Sequence, residues 1–270
     1  MATYINTLTT EQLGNLKLIV TALQNSGITN VNDIAGILAV VSKESAFKPQ
    51  REGFNYKGST VSRVRGIFGD RLSSLSDTSL QNLINSTDTE AGQKKLACYV
   101  YNYSGNDLGN KTCSDAWNYR GRGFNQITGK EKYTRYGKIL ELDLENNPDL
   151  LNNPDVAIKA MKIFFDASAK MFPDLATKYN GKPNEFQTIE DATGYYYHHN
   201  AGGGKSDAII LKDSTTGRKK AFDRVPEIYE YITENNIAPR STDTGQKKNT
   251  FLYILFAGVI GYFIYKNYKK

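Results

Sequence analysis

Apolar positions recur at helical spacing over much of the chain. Leu13, Leu16, Ile19, Val20 and Leu23 form an i, i+3, i+4 stripe behind the cap-like run Thr9-Thr10-Glu11 and before Gly27, which predicts an amphipathic helix. A second stripe, Ile34, Ile37, Leu38 and Val41, follows Asn32-Asp33 as expected cap, and its next position is Glu44. A carboxylate closing an apolar stripe faces the edge of a core, where desolvation favours its protonated form. From Gly58 to Cys98 the chain is polar and loosely helical, with Leu80, Leu83 and Ile84 as the expected buried positions and no visible chemistry. Two tandem runs, Asn147-Pro148-Asp149 and Asn153-Pro154-Asp155, place cap residues around a proline suited to a first helical turn. The second opens a helix expected to turn Val156, Ala157, Ala160, Met161, Phe164 and Ala167 inward and to end by Pro173. A further helix over Thr188 to Tyr197 runs into Asn200-Ala201-Gly202-Gly203-Gly204.

The end of the chain breaks this pattern. Phe251 to Tyr265 reads FLYILFAGVIGYFIY, without a charge, between Lys247, Lys248 and Lys266, Lys269, Lys270. As a helix it is about 22 Å long against a hydrocarbon core of about 30 Å, a gap that interfacial tyrosines and snorkelling lysines narrow. The expectation is a catalytic domain over 1–238, a polar tether over 239–249, a single transmembrane helix over 250–266 and a basic tail over 267–270. Lysines on both flanks leave its orientation undecided. The amino-terminal stretch has no basic region followed by an apolar run, so no Sec-type signal peptide is expected.

Composition narrows the function classes. The 270 residues carry a formal net charge of +6, too small and scattered to argue for nucleic acid, and equally suited to an anionic wall polymer or membrane surface. Eighteen tyrosines suit flat polar ligands such as sugars, although a half-buried core accounts for most of them. His198 and His199 are adjacent and point apart on a helix, so no metal site and no cofactor is expected. Cys98 and Cys113 allow either one short-loop disulfide or a pair of free thiols.

The densest motif is Tyr119 to Gly129, YRGRGFNQITG, in which Gly121 and Gly123 alternate with Arg120 and Arg122. Glycine permits close backbone approach and the arginines reach for carboxylates. Taken alone, it reads equally well as a basic surface turn. Its order among the other blocks is what makes it specific: SKESAFKP (42–49), REGFNY (51–56), YRGRGFNQITG (119–129), NNPDLLNNPDVA (146–157) and HNAGGG (199–204). Together they resemble glycoside hydrolase family 19, the chitinase-like family with a phage and bacterial endolysin branch.

The resemblance implies a mainly α, lysozyme-like, two-lobed domain with a cleft and a small β or loop region. It implies an inverting acid/base mechanism in which Glu44 is the general acid, Glu52 the general base, and Thr128 holds the attacking water. Gln126 and Asn200 are implied to bind substrate, Tyr119 to line the groove, and Arg122 to brace it or orient a carboxylate. Departures from the family pattern are Ala201 and His199 in the last block and Lys43 before the acid, where His is common. Arg218 and Arg224 lie where the family often has a cleft-bracing arginine. The expected substrate is peptidoglycan, cut at β-1,4 bonds, with chitin as alternative and a non-catalytic wall-binding or virion structural protein as rival. With the carboxy-terminal span, the expected partners also include a lipid membrane and virion components, and the expected location is a virion or host membrane.

Overall fold

A computed structural model describes residues 3–102, 108–201 and 217–237, the last segment from residue 219 onward in its side chains. Eleven α-helices occur among the described residues: α1 (Thr10–Asn25), α2 (Val31–Ser45), α3 (Val61–Phe68), α4 (Asp77–Asn85), α5 (Glu90–Tyr101), α6 (Cys113–Asn118), α7 (Lys130–Leu140), α8 (Pro154–Met171), α9 (Asp174–Lys178), α10 (Ile189–Asn200) and α11 (Gly217–Glu234). This helical content agrees with the expected mainly α, lysozyme-like class. The expected β region reduces, among the described residues, to one isolated antiparallel bridge between Arg122 and Ile127.

The transmembrane helix is a correction. Among the described residues no helix is long and apolar enough to cross a membrane, and 250–266 lie outside those residues, as do 239–249 and 267–270. The expected anchor and the membrane localisation built on it are therefore not supported. The chain divides into units Met1–Pro239 and Arg240–Lys270, and the described residues all belong to the first.

Three apolar clusters organise this unit. The largest gathers Leu16, Ile19 and Val20 of α1, Ile34 to Val41 of α2, Met161 and Phe165 of α8, Tyr195 to Tyr197 of α10, and Val225, Ile228 and Ile232 of α11. α2 is its axis and packs chiefly on α10 and α11. The stripe predicted for α2 is therefore real but incomplete, because Ala35, Gly36, Ala39 and Val40 are buried as well. The cap is Asn30, whose side chain accepts from the backbone N–H groups of Asn32 and Asp33. Asp33, expected in the cap, is instead fully buried and accepts from the Tyr196 hydroxyl at 2.7 Å; burial still pushes its carboxyl up to about 6.

α2 and α10 approach closely at Gly36, where an added Cβ would lie 2.9 Å from the backbone of Ala192 and Thr193. Backbone cannot move aside as a flexible side chain can, so Gly36→Ala is expected to cost about 1–3 kcal/mol by overpacking. Gly14→Ala in α1, whose Cβ meets nothing within 4 Å, is the control and is expected to be neutral or stabilising. Urea midpoints of the two variants check this.

A second cluster unites the polar stretch after Gly58: Val64, Phe68, Leu72, Leu80, Leu83, Ile84, Leu96, Val100 and Tyr101 pack around Phe54. Leu80, Leu83 and Ile84 are buried, as expected. Cys98 and Cys113 form a disulfide that ties α5 to α6 with Cα atoms 4.6 Å apart. Closing such a loop stabilises by about 3 kcal/mol. The third cluster, with Tyr119, Ile127, Tyr133, Tyr136 and Leu151, packs on Ala160 of α8. In α8 the fully inward phenylalanine is Phe165, with Phe164 only partly buried between the first and third clusters.

Candidate active site

The carboxyl end of α2 carries Glu44, and the chain that leaves it carries Glu52. α2 stops because Ala46 and Phe47 both take left-handed backbone conformations (φ 48° and 61°). Such residues persist only where their surroundings over-determine them. Here Gln12 and Asn15 of α1 donate side-chain N–H groups to the Ala46 and Phe47 carbonyls at 2.8 and 2.9 Å, while the Phe47 ring is buried in the first cluster. Seven residues later Phe54 is buried in the second cluster. The segment between them spans the two cores, and Glu52 lies within it.

Glu44 retains 18% side-chain exposure. Its Oε1 accepts from Lys43 Nζ at 2.8 Å and from Asn200 Nδ2 at 2.7 Å, which brings α2 and the end of α10 together at this carboxylate. Lys43 also lies 5.8 Å from the centre of the Tyr197 ring. Arg224 of α11 donates to the Ser42 carbonyl at 2.6 Å and stacks on Tyr4 at 4.0 Å, bracing α2 two residues before Glu44. The side chain of Arg218 and residues 202–204 of the glycine run lie outside the description.

Glu52 is held quite differently. Its backbone N–H donates to the Gly121 carbonyl at 2.8 Å, and Arg120 Nε donates to its carbonyl at 3.1 Å. Its carboxylate accepts from the Tyr101 hydroxyl at 3.0 and 2.9 Å and from the Gly121 N–H at 3.2 Å. Burial raises its proton affinity above the ordinary glutamate value, against the opposing pull of Tyr101, Gly121, Arg120 and Arg71. The side-by-side pairing of 52 with 120–121 is what removes it from water.

The glycine-arginine turn closes through two backbone bonds between Arg122 and Ile127, at 3.1 and 2.8 Å, with Gly123 at φ 77° and Gln126 at φ 54° inside it. A Cβ at Gly121 would lie 2.7 Å from Gln126 Oε1, so the Gln126 side chain would have to shift to admit one. Gln126 Nε2 donates to the carbonyls of Gln50 and Gly123 at 3.0 and 3.1 Å, a second tie between this turn and the Glu52 segment. Thr128 Oγ1, half-buried, donates to the Gln126 carbonyl at 3.0 Å.

Tyr119, expected to line the groove, and Arg122, expected to brace it or orient a carboxylate, are both turned inward. Arg122, 2% exposed, donates to Asp149 at 2.7 Å, to the carbonyls of Asn118 and Arg120, and to the Tyr133 hydroxyl. Tyr119, 6% exposed, packs on Tyr133 and donates to the Glu145 carbonyl at 3.3 Å. Both brace the turn from behind, because the third cluster and the Asn147-Pro148-Asp149 run offer them partners there. The residue that sequence reasoning missed is Tyr101. It ends the stripe Leu96, Ala97, Val100, Tyr101 of α5, the same signal that singled out Glu44: a polar tip at the edge of a core.

His198 and His199 do point apart, as the helix predicts. His199 Nδ1 pairs with Ser168 Oγ at 2.7 Å and His198 Nδ1 with the Tyr179 hydroxyl at 3.0 Å, both buried. Burial, then the neighbouring His198, lowers the His199 imidazole to about 4, so it stays neutral. Among the described residues no group of three or more His, Cys, Asp or Glu side chains could hold a metal ion.

No family model matches the chain. Over 149 residues, 54% of its length, it is 32% identical to a glycosyl hydrolase family 19 domain-containing protein of Haemophilus influenzae, of which it covers 67%. With the five blocks in order and both carboxylates in their segments, the chain belongs to glycosyl hydrolase family 19.

Proposed function

We propose that this protein hydrolyses β-1,4 glycosidic bonds of peptidoglycan by an inverting acid/base mechanism. The observation that carries the reading is the pair Glu44 and Glu52: two carboxylates close in sequence, the first tied to α10 through Asn200 and the second to α5 through Tyr101 and to the glycine-arginine turn through Gly121. Glu44 gives its proton to the glycosidic oxygen as the bond from the anomeric carbon to that oxygen breaks. A water attacks the anomeric carbon from the opposite face and Glu52 takes the proton it sheds. Thr128, in the same turn as the Glu52 contacts, orients that water, because a hydroxyl donates and accepts at once.

Gln126 and Asn200 lie at the edges of this region and bind the sugar. Asn200, which also meets Glu44, then links recognition to the acid. Tyr119 and Arg122 hold the turn rigid from its buried side rather than touch substrate. The phage-like form of the blocks favours peptidoglycan over chitin, although both polymers offer N-acetylglucosamine units.

Full-length protein incubated with purified peptidoglycan and, separately, with chitin oligomers is expected to release reducing ends from the first. On a soluble β-linked oligomer of defined length, NMR is expected to show the α-anomer as the initial product. Release from chitin alone makes it a chitinase, an initial β-anomer removes the inverting mechanism, and folded protein without turnover on either substrate leaves a wall-binding protein.

A further inference from the structure

We propose that Tyr101 is a positioning residue for the general base: its hydroxyl, straddling both oxygens of Glu52, holds that carboxylate oriented and ionised in a site that water does not reach freely. The inference rests on the reading of Glu52 as base and adds a residue to it.

The difficulty Tyr101 resolves is physical. A general base must be ionised to accept a proton, yet Glu52 is mostly buried, and burial alone raises its affinity for a proton. Only groups that donate to the charged form offset this. Those facing it are the Tyr101 hydroxyl from α5, Arg71 from the 3-10 turn Gly69–Leu72, Arg120 and the Gly121 N–H from the glycine-arginine turn, and Tyr56 from its own loop. Arg120 spends its Nε on the Glu52 carbonyl and lies over the Trp117 ring at 3.5 Å, so it acts at a distance. Tyr56 is a neighbour whose own phenol is raised by burial and then by the charge of Glu52. Tyr101 and Gly121 donate directly to the carboxylate, and the Tyr101 hydroxyl reaches both of its oxygens.

Tyr101 is fixed well enough for this task. It is 8% exposed, its ring meets Phe54 edge-on at 5.8 Å, and its carbonyl accepts from Asn110 Nδ2 at 2.9 Å. One helical turn earlier, Cys98 is bridged to Cys113 of α6, the helix that leads into the glycine-arginine turn. Tyr101 and Gly121 are therefore carried by, or follow directly on, the two helices that the disulfide joins. Burial, and next the charge of Glu52, push the phenol far above its ordinary range, so it remains a donor wherever the protein is folded.

Tyr101→Phe removes the hydroxyl and keeps the ring on Phe54. A hydrogen bond to a charged group is worth about 1.5–3 kcal/mol, so the acid-side limb of the kcat/KM against pH profile is expected to move up by about 1–2 pH units. Activity at pH 5 then falls about tenfold or more, with a much smaller loss on the alkaline side. A uniform fall at every pH, with the limb unmoved, assigns Tyr101 a packing role and overturns the proposal.

A measurement without turnover separates this from the functional reading. The melting temperature of Tyr101→Phe relative to the unaltered protein is expected to fall progressively from pH 4.5 to pH 8, with the gap widening by roughly 3–10 °C. A gap that stays constant overturns the proposal even in active protein. A widening gap in protein inactive on every wall polymer keeps Tyr101 as the residue that ionises Glu52 and defeats only the proposed reaction.

Discussion

Glu44→Gln is expected to lower kcat on peptidoglycan by about 10³, within the usual range for losing a positioned general acid. The amide keeps the shape of the side chain and an oxygen able to accept from Lys43 and Asn200, whose bonds at 2.8 and 2.7 Å converge on Oε1. What it lacks is a transferable proton. The convergence also bears on geometry: an oxygen that already accepts two N–H donors is a poor seat for a proton, so in the proposed reaction the proton leaves from Oε2. The deficit should depend on the leaving group. A sugar hydroxyl needs protonation to depart, whereas a nitrophenolate departs without it, so Glu44→Gln should lose most of its activity on the polymer and little on nitrophenyl glycosides of N-acetylglucosamine oligomers. Comparing kcat on the two substrate types checks this. An equal loss on both removes Glu44 from proton donation.

The sequence made Glu44 legible because helical periodicity is local information: a carboxylate next on the stripe Ile34, Ile37, Leu38, Val41 must sit at the edge of whatever that stripe packs against. It could not reveal what faces that edge. Asn200 reaches Glu44 across 156 residues, and Asp33 is drawn out of a capping role by Tyr196 across 163. The environments of the two candidate carboxylates also differ from expectation for this reason. Glu44 was expected at a desolvated edge, but it keeps some exposure and faces a lysine, while the donors that meet the Glu52 carboxylate come from residues 49 and 69 positions away. Tyr119 and Arg122 show the converse limit. Motif position placed them in the glycine-arginine turn, but which face of a tight turn meets solvent depends on Tyr133 and Asp149, and these turn both residues inward. The carboxy-terminal apolar run satisfied the usual pattern of uncharged residues with lysine flanks, but it lies outside the described residues, among which no helix is long and apolar enough to cross a membrane.

Glu52→Gln is the second large effect, again about 10³ in kcat, and it separates the two carboxylates. Without a base the attacking water keeps its proton whichever group leaves, so the loss should be alike on the polymer and on nitrophenyl glycosides, unlike that of Glu44→Gln. The same substitution carries a stability signature. Burial raises the proton affinity of Glu52 in the folded protein above the value of 4.5 that the residue has when unperturbed. A group raised in this way gives its full stabilisation below pH 4.5, and that contribution is lost as pH climbs through the folded value, because the unfolded chain releases the proton first. Glutamine carries no such proton. The melting temperature of Glu52→Gln relative to the unaltered protein should therefore rise with pH between 4.5 and 8, opposite in sign to the widening deficit expected of Tyr101→Phe. A residue kept charged where burial opposes charge is one whose ionisation serves the reaction rather than the fold. A relative melting temperature that does not change with pH would remove Glu52 from that role.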